Sequence, residues 1–139
     1  MTLDLRNYSP ERMAGALEVG SPIGYGTGAG AAVTQITNRS TGVTINAICG
    51  TIQTDTTSLA AGASAEFTVT NNQVAIGDVV LVSQRSGSSL VAATAGVTEV
   101  IVVTVAAGSF ILSVVNGSTT TADTGAIIIN FVVIKATNA

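Results

Sequence analysis

Histidine and tryptophan are absent from this 139-residue chain, cysteine and lysine occur once each, proline twice, and only 9% of residues carry a charge. Each scarcity closes off a class of chemistry. Without His, and with Cys49 alone, the ordinary zinc sites and any internal disulfide are excluded. Ser and Thr are abundant, but no imidazole is present to activate one, and a Ser–Lys pair would have to use Lys135. Sugar subsites lean on aromatic platforms. The aromatic share here is 4%, with no Trp and only Tyr8 and Tyr25 as tyrosines, both outside the β-rich body. The formal charge of −3 carries no cluster of Lys and Arg, so there is no electrostatic footprint for nucleic acid. The expectation is a protein that is not an enzyme, with no cofactor, no metal and no small-molecule substrate.

What is present is apolar and β-branched: 47% of residues are hydrophobic, and Val, Ile, Ala, Thr and Gly dominate. The strongest stretch is Ala126–Lys135, an almost unbroken apolar run that reads as a strand covered on both faces. It is about half of the roughly 20 residues that a membrane-spanning helix needs, so no membrane partner is expected. The first residues lack the basic start and apolar block of a secretory signal, which reads as a protein made and retained in a cytoplasm before assembly.

Taken in order, residues 1–20 form a distinct N-terminal arm holding Asp4, Arg6, Glu11, Arg12 and Glu18, five of the thirteen charged residues. Ser9-Pro10-Glu11 is a helix start, with a capping hydroxyl, a proline suited to the first helical position and a carboxylate at the positive end of the dipole. Met13, Ala14, Ala16 and Leu17 would add one or two turns before Gly20, too short to stand alone. Two readings stay open: a frayed terminus, or an arm that orders on a neighbouring subunit. Gly20–Gly30 is a glycine-rich linker, assigned to residues 21–30. Its glycines follow no strand and precede no Gly-Lys-Ser/Thr, which argues against a phosphate-binding loop.

Residues 31–139 read as a β-sandwich domain of short strands separated by turns. Val43, Ile45, Ala47 and Cys49 share one face against Thr44 and Asn46, which makes Cys49 a buried apolar residue. Ala65, Phe67 and Val69 alternate with Glu66, Thr68 and Thr70. Val79–Val82 has no polar face and should be buried on both sides. Leu90–Ala95, Val97–Val105 and Ser109–Val115 follow. The fold class is all-β: a β-sandwich or jelly roll of about eight antiparallel strands with an extended N-terminal arm. The carboxylates Asp55, Glu66, Asp78, Glu99 and Asp123 are scattered and read as solvated surface groups. Asn7, Asn38 and Asn116 match the glycosylation pattern but read as turn residues.

One segment, Ala32-Val33-Thr34-Gln35-Ile36-Thr37-Asn38-Arg39-Ser40-Thr41-Gly42-Val43-Thr44-Ile45-Asn46, resembles the Val-Thr-Gln, Ser-Thr-Gly-Val-Thr-Leu-Asn pattern of small virion proteins of tailed bacteriophages. The resemblance continues through Gly50–Ile52, Leu59–Gly62, Phe67–Asn71, Gly77–Val80, Ala107–Phe110 and Ile129–Lys135, covering residues 28–136 as a pattern of strand and turn residues. It implies a capsid decoration (cement) protein located on the virion surface, commonly β-rich and often a homotrimer, clamping major capsid protein subunits. The alternative it leaves is a receptor-binding tip or head-fibre module using loops Arg85–Ser89 and Asn116–Gly125. The family brings no catalytic residues. In the arm, Leu5, Tyr8, Met13 and Leu17 are the candidate contact residues, with Arg6 and Arg12 as ion-pair donors.

Overall fold

The computed structural model of the chain describes residues 24–90 and 96–136, and these residues are all-β. Eight strands follow in order: β1 (Gly30–Thr34), β2 (Val43–Thr44), β3 (Cys49–Gln53), β4 (Ser64–Thr70), β5 (Val79–Ser86), β6 (Thr98–Ala106), β7 (Ser109–Asn116) and β8 (Ile128–Ile134). They form two four-stranded sheets, sheet A in the order β1-β3-β8-β5 and sheet B in the order β2-β4-β7-β6. The result is the expected β-sandwich, with the apolar run near the C-terminus as an interior strand of sheet A.

Successive strands change sheet at almost every connection; only β6 and β7 are sequential neighbours within one sheet. Their hairpin turns at Ala107-Gly108, where Gly108 takes the positive φ (79°) that glycine adopts without steric cost. The alternation between sheets explains a departure from a purely antiparallel pattern. β1 pairs with β3, and β2 with β4, in parallel. Each pair is separated in sequence by a strand of the opposite sheet, so the chain returns to its first sheet running in its original direction. The other four strand pairings are antiparallel.

Between the sheets lies a single apolar core. Ile52, Ile129, Phe131 and Val133 point inward from sheet A, and Phe67, Val69, Phe110, Leu112 and Val114 meet them from sheet B. Phe110 and Phe131 pack across the interface with ring centroids 5.7 Å apart and planes tilted by 46°, a favoured aromatic arrangement. β4 keeps the alternation its sequence announces: Ala65, Phe67 and Val69 are buried, and the residues between them are exposed.

Two strand expectations are corrected. Val43–Cys49 is not one strand. β2 ends at Thr44, the chain crosses to the other sheet, and β3 begins at Cys49. The crossing shifts the inward parity from odd positions (Val43, Ile45, Ala47) to even ones (Ile52, Thr54), leaving Cys49 half-buried on the outer side of sheet A. Val79–Val82 is not buried on both sides either. Val80 is in the core and Val82 packs against it, whereas Val79 and Leu81 face outward and are exposed. In the Leu90–Ala95 run, residues 91–95 lie outside the described residues, as does the helix expected in residues 1–20.

Candidate assembly surface and the polar hub beneath the loops

The same parity that fills the core also builds the outer faces. On sheet A the outward positions of β5 and β8 carry Val79 (45% exposed), Leu81 (51%) and Ile134 (47%), with Val132 half-buried among them. Pairing places Leu81 beside Val132 and Val132 beside Cys49, while Val79 pairs with Ile134. These rows form a continuous apolar strip at one end of the sheet. On sheet B the edge strand β6 exposes Ile101 (48%) and Val103 (46%), while Val100, Val102 and Val105 pack on the core. The inward half of each apolar run thus satisfies the sandwich, and the outward half meets water. Elsewhere Ile36 (85% exposed) and Ile76 (71%) also stand in water, so the sheet A strip is a candidate contact surface because its apolar side chains are contiguous and not because they are the most exposed.

The opposite chemistry lies beneath the loops. Asp123 is fully buried and accepts five hydrogen bonds. Thr98 Oγ1 (2.6 Å) and Ser88 Oγ (3.0 Å) donate to Oδ2. The Ser89 amide (3.0 Å), the Ser89 hydroxyl (2.9 Å) and the Gly125 amide (2.9 Å) donate to Oδ1. Burial alone would raise the Asp123 pKa. The hydrogen bonds from Thr98, Ser89 and Gly125 outweigh it and hold the pKa down at about 2.

Arg39 is buried 3.8 Å from the Asp123 carboxylate, and its hydrogen bonds go to main-chain oxygens. Nε donates to Thr57 (2.6 Å), and Nη2 donates to Asp123 (3.1 Å) and Gly125 (2.7 Å). Burial lowers the guanidinium pKa, opposed by the charges of Asp123 and Asp55. The guanidinium therefore ties three loop segments together as a fixed fork of donors.

Asn116 acts similarly at the end of β7. Its Nδ2 donates to the carbonyls of Leu59 (2.9 Å), Ala60 (3.1 Å) and Thr121 (2.9 Å), and its Oδ1 accepts from the Ser118 amide (2.9 Å). Leu59 and Asp123 exchange main-chain hydrogen bonds of 2.8 and 2.9 Å, closing the assembly. Loops 85–89 and 116–125 are consequently one unit. The fit is tight: a Cβ on Gly87, whose φ is +106°, would lie 1.8 Å from the Ala126 carbonyl oxygen.

Several of these placements correct the sequence reading. Asp123 and Asp78 are buried structural groups rather than solvated ones. Asp78 pairs with Lys135 and accepts the Ala75 amide (2.8 Å); the Lys135 hydrogen bond is the main cause lowering its pKa. Glu66 and Glu99 do point to solvent from strand faces. Asp55 caps its own turn by accepting from the Thr57 hydroxyl and amide, which lowers its pKa. Asn38 and Asn116 do turn work, as expected: Asn38 Oδ1 accepts from the Ser40 amide at 2.9 Å. Nothing in the sequence singles out Arg39, because a charge inside Asn-Arg-Ser-Thr-Gly looks like any solvated turn. Its only signal was rarity, as one of five cations in the chain.

The arm contacts Leu5, Arg6, Tyr8, Arg12, Met13 and Leu17 lie outside the described residues. Among the described residues, no helix is long and apolar enough to cross a membrane. Compared with known protein families, curated proteins and solved structures, the chain finds no match.

Proposed function

We propose that this chain is a structural subunit of a bacteriophage virion, a decoration protein that stabilises the head by bridging major capsid protein subunits, working as a homotrimer. One observation carries the reading: β5, β6 and β8 present Val79, Leu81, Ile134, Ile101 and Val103 to solvent after the core is already filled. Such outward residues become useful when a second surface covers them, and the low charge of the chain suits a molecule that spends its working life in an assembly. The resemblance of residues 28–136 to small virion proteins supplies the kind of assembly. The mechanism is contact area added across capsid joints, which opposes the pressure of packaged DNA. Neither a cofactor nor catalysis has a part in it.

The test has two stages. Sedimentation of the purified protein at micromolar concentration is expected to give a trimer, and a stable monomer would remove the basis of the proposal. Capsids lacking the protein are then expected to lose resistance to heat.

A receptor-binding tip is the second reading. It is favoured by the fusion of loops 85–89 and 116–125 into one braced surface, beside an open depression of about 250 Å³ lined by Gln84, Arg85, Ser86, Ser88, Val97 and Thr98. Capsids of normal heat resistance with lost host adsorption would select that reading over the first.

A further inference from the structure

The charges that the strands themselves carry are few, and they are divided by sheet. The strands of sheet A hold one, Arg85 near the end of β5. Those of sheet B hold two, Glu66 in β4 and Glu99 in β6. All three are exposed, and none has an ion-pair partner among the described residues, whose ion pairs are Arg39–Asp123 and Lys135–Asp78.

Arg85 and Glu99 also sit in step with the outward apolar side chains. β5 and β6 are the edge strands on the same side of the sandwich, and they touch each other. They run in opposite directions along that edge, because the end of β5 and the start of β6 meet at one depression, lined by Gln84, Arg85, Ser86, Val97 and Thr98. At roughly 3.3 Å per residue, Arg85 lies about 13 Å from Leu81, and Glu99 lies about 7 Å from Ile101 and about 13 Å from Val103. Leu81, Ile101 and Val103 are all exposed. Each outer face therefore has the same order, a charge near the loops and aliphatic side chains farther along, with the sign reversed between the two faces.

That reversal decides which face covers which. Sheet A on sheet A would bring Arg85 to a face whose strands hold no carboxylate, and sheet B on sheet B would set acids against acids. Sheet A on sheet B gives the aliphatic side chains an apolar cover and Arg85 a counter-charge.

We propose that copies of this chain pack head to tail, the outer face of sheet A in one subunit on the outer face of sheet B in the next, with Leu81 against the neighbour's Ile101 and Val103 and Arg85 paired with the neighbour's Glu99. The proposal rests on the self-associating subunit proposed above and names the two faces that meet. Each copy spends a different face on each neighbour, which is the arrangement a cyclic homotrimer requires.

A mixing experiment tests it. Leu81→Asp disables the sheet A face and leaves the sheet B face intact, and Ile101→Asp does the reverse; both positions are exposed, and circular dichroism checks that each sandwich is intact. Each variant alone is expected to sediment as a monomer at high micromolar concentration. Mixed in equal amounts, they should form a one-to-one dimer and nothing larger, because only one matched pair of faces remains. Charge reversal gives a second test: Arg85→Glu or Glu99→Arg alone is expected to raise the dissociation constant of the assembly about tenfold, and the two together to bring it back to within about threefold of the parent. The proposal is overturned by a mixture that stays monomeric, by either aspartate variant assembling alone as the parent does, or by a charge swap that associates no better than the single reversals. A monomeric parent chain would remove the homotrimer reading and this proposal with it, whereas a trimeric parent whose two variants do not pair removes this proposal alone.

Discussion

The loop end and the outer face of sheet A invert the usual rule of what goes inside, and they do so in opposite senses. Beneath the loops, a carboxylate, a guanidinium and a carboxamide are buried, and their hydrogen bonds run to neighbouring loop segments. On sheet A, aliphatic side chains stand in water at positions their strand parity dictates. The difference separates two kinds of work. Buried polar groups with fixed partners hold a chain in one shape, whereas exposed apolar groups without partners in the described residues lower the free energy of the molecule only when something covers them. Substitution in the first region should therefore change stability, and substitution in the second should change association.

Asp123→Ala is the sharpest way to break that contrast. It removes the acceptor shared by Ser88, Ser89, Thr98 and Gly125 and leaves the Arg39 charge buried without its nearest counter-charge. A loss of about 3–5 kcal/mol is expected in denaturant unfolding. Asn116→Ala should follow, at about 2–3 kcal/mol, because three carbonyls lose their shared donor in a buried setting.

Acid should weaken the same region by protonating Asp123. Its pKa in the folded chain, about 2, lies below the ordinary value of 3.8. The stability this adds is fully present above the unfolded-state value and is lost as pH falls toward the folded one. Over that window, from about pH 4 to about pH 2, unfolding free energy should drop by roughly 2 kcal/mol, and Asp123→Asn should flatten this part of the profile. The smallest effect on stability is expected from Leu81→Ser with Ile101→Ser, about 0.5 kcal/mol at each site. The same double variant should sediment as a smaller species than the parent. Unchanged sedimentation with a large loss of stability would show that the outer face belongs to the fold and not to a contact.

The contrast also explains what could be read from the chain directly. Period-two alternation is a local property, so Ala65–Phe67–Val69 located β4 and its inward face without any tertiary information. The all-β class and the strand near the C-terminus followed from β-branched content and turn residues. Parity across a sheet crossing is not local. Nothing in Val43–Cys49 announces that the chain leaves sheet B at Thr44, and so alternation alone puts Cys49 on the wrong side. Likewise Val79–Val82 has no polar residue to mark an outer face, and an apolar run looks the same whether its second side is covered or wet. The hub was the least legible part. Arg39 lies 84 positions from Asp123, and turn residues that bond locally cannot be told from turn residues that bond far away.

The place of β8 in sheet A has a consequence for synthesis. β3 and β5 each pair with β8 and not with each other. As a ribosome delivers the chain from its N-terminus, every other strand of the sandwich is made before the one that joins the two halves of sheet A. Nascent molecules must therefore wait with an open seam until translation reaches Ile128–Ile134, and of the earlier strands only β6 and β7 can close a local hairpin in the meantime. The β3–β8 and β5–β8 pairings join segments far apart in the chain, the kind of contact that forms more slowly than a local hairpin.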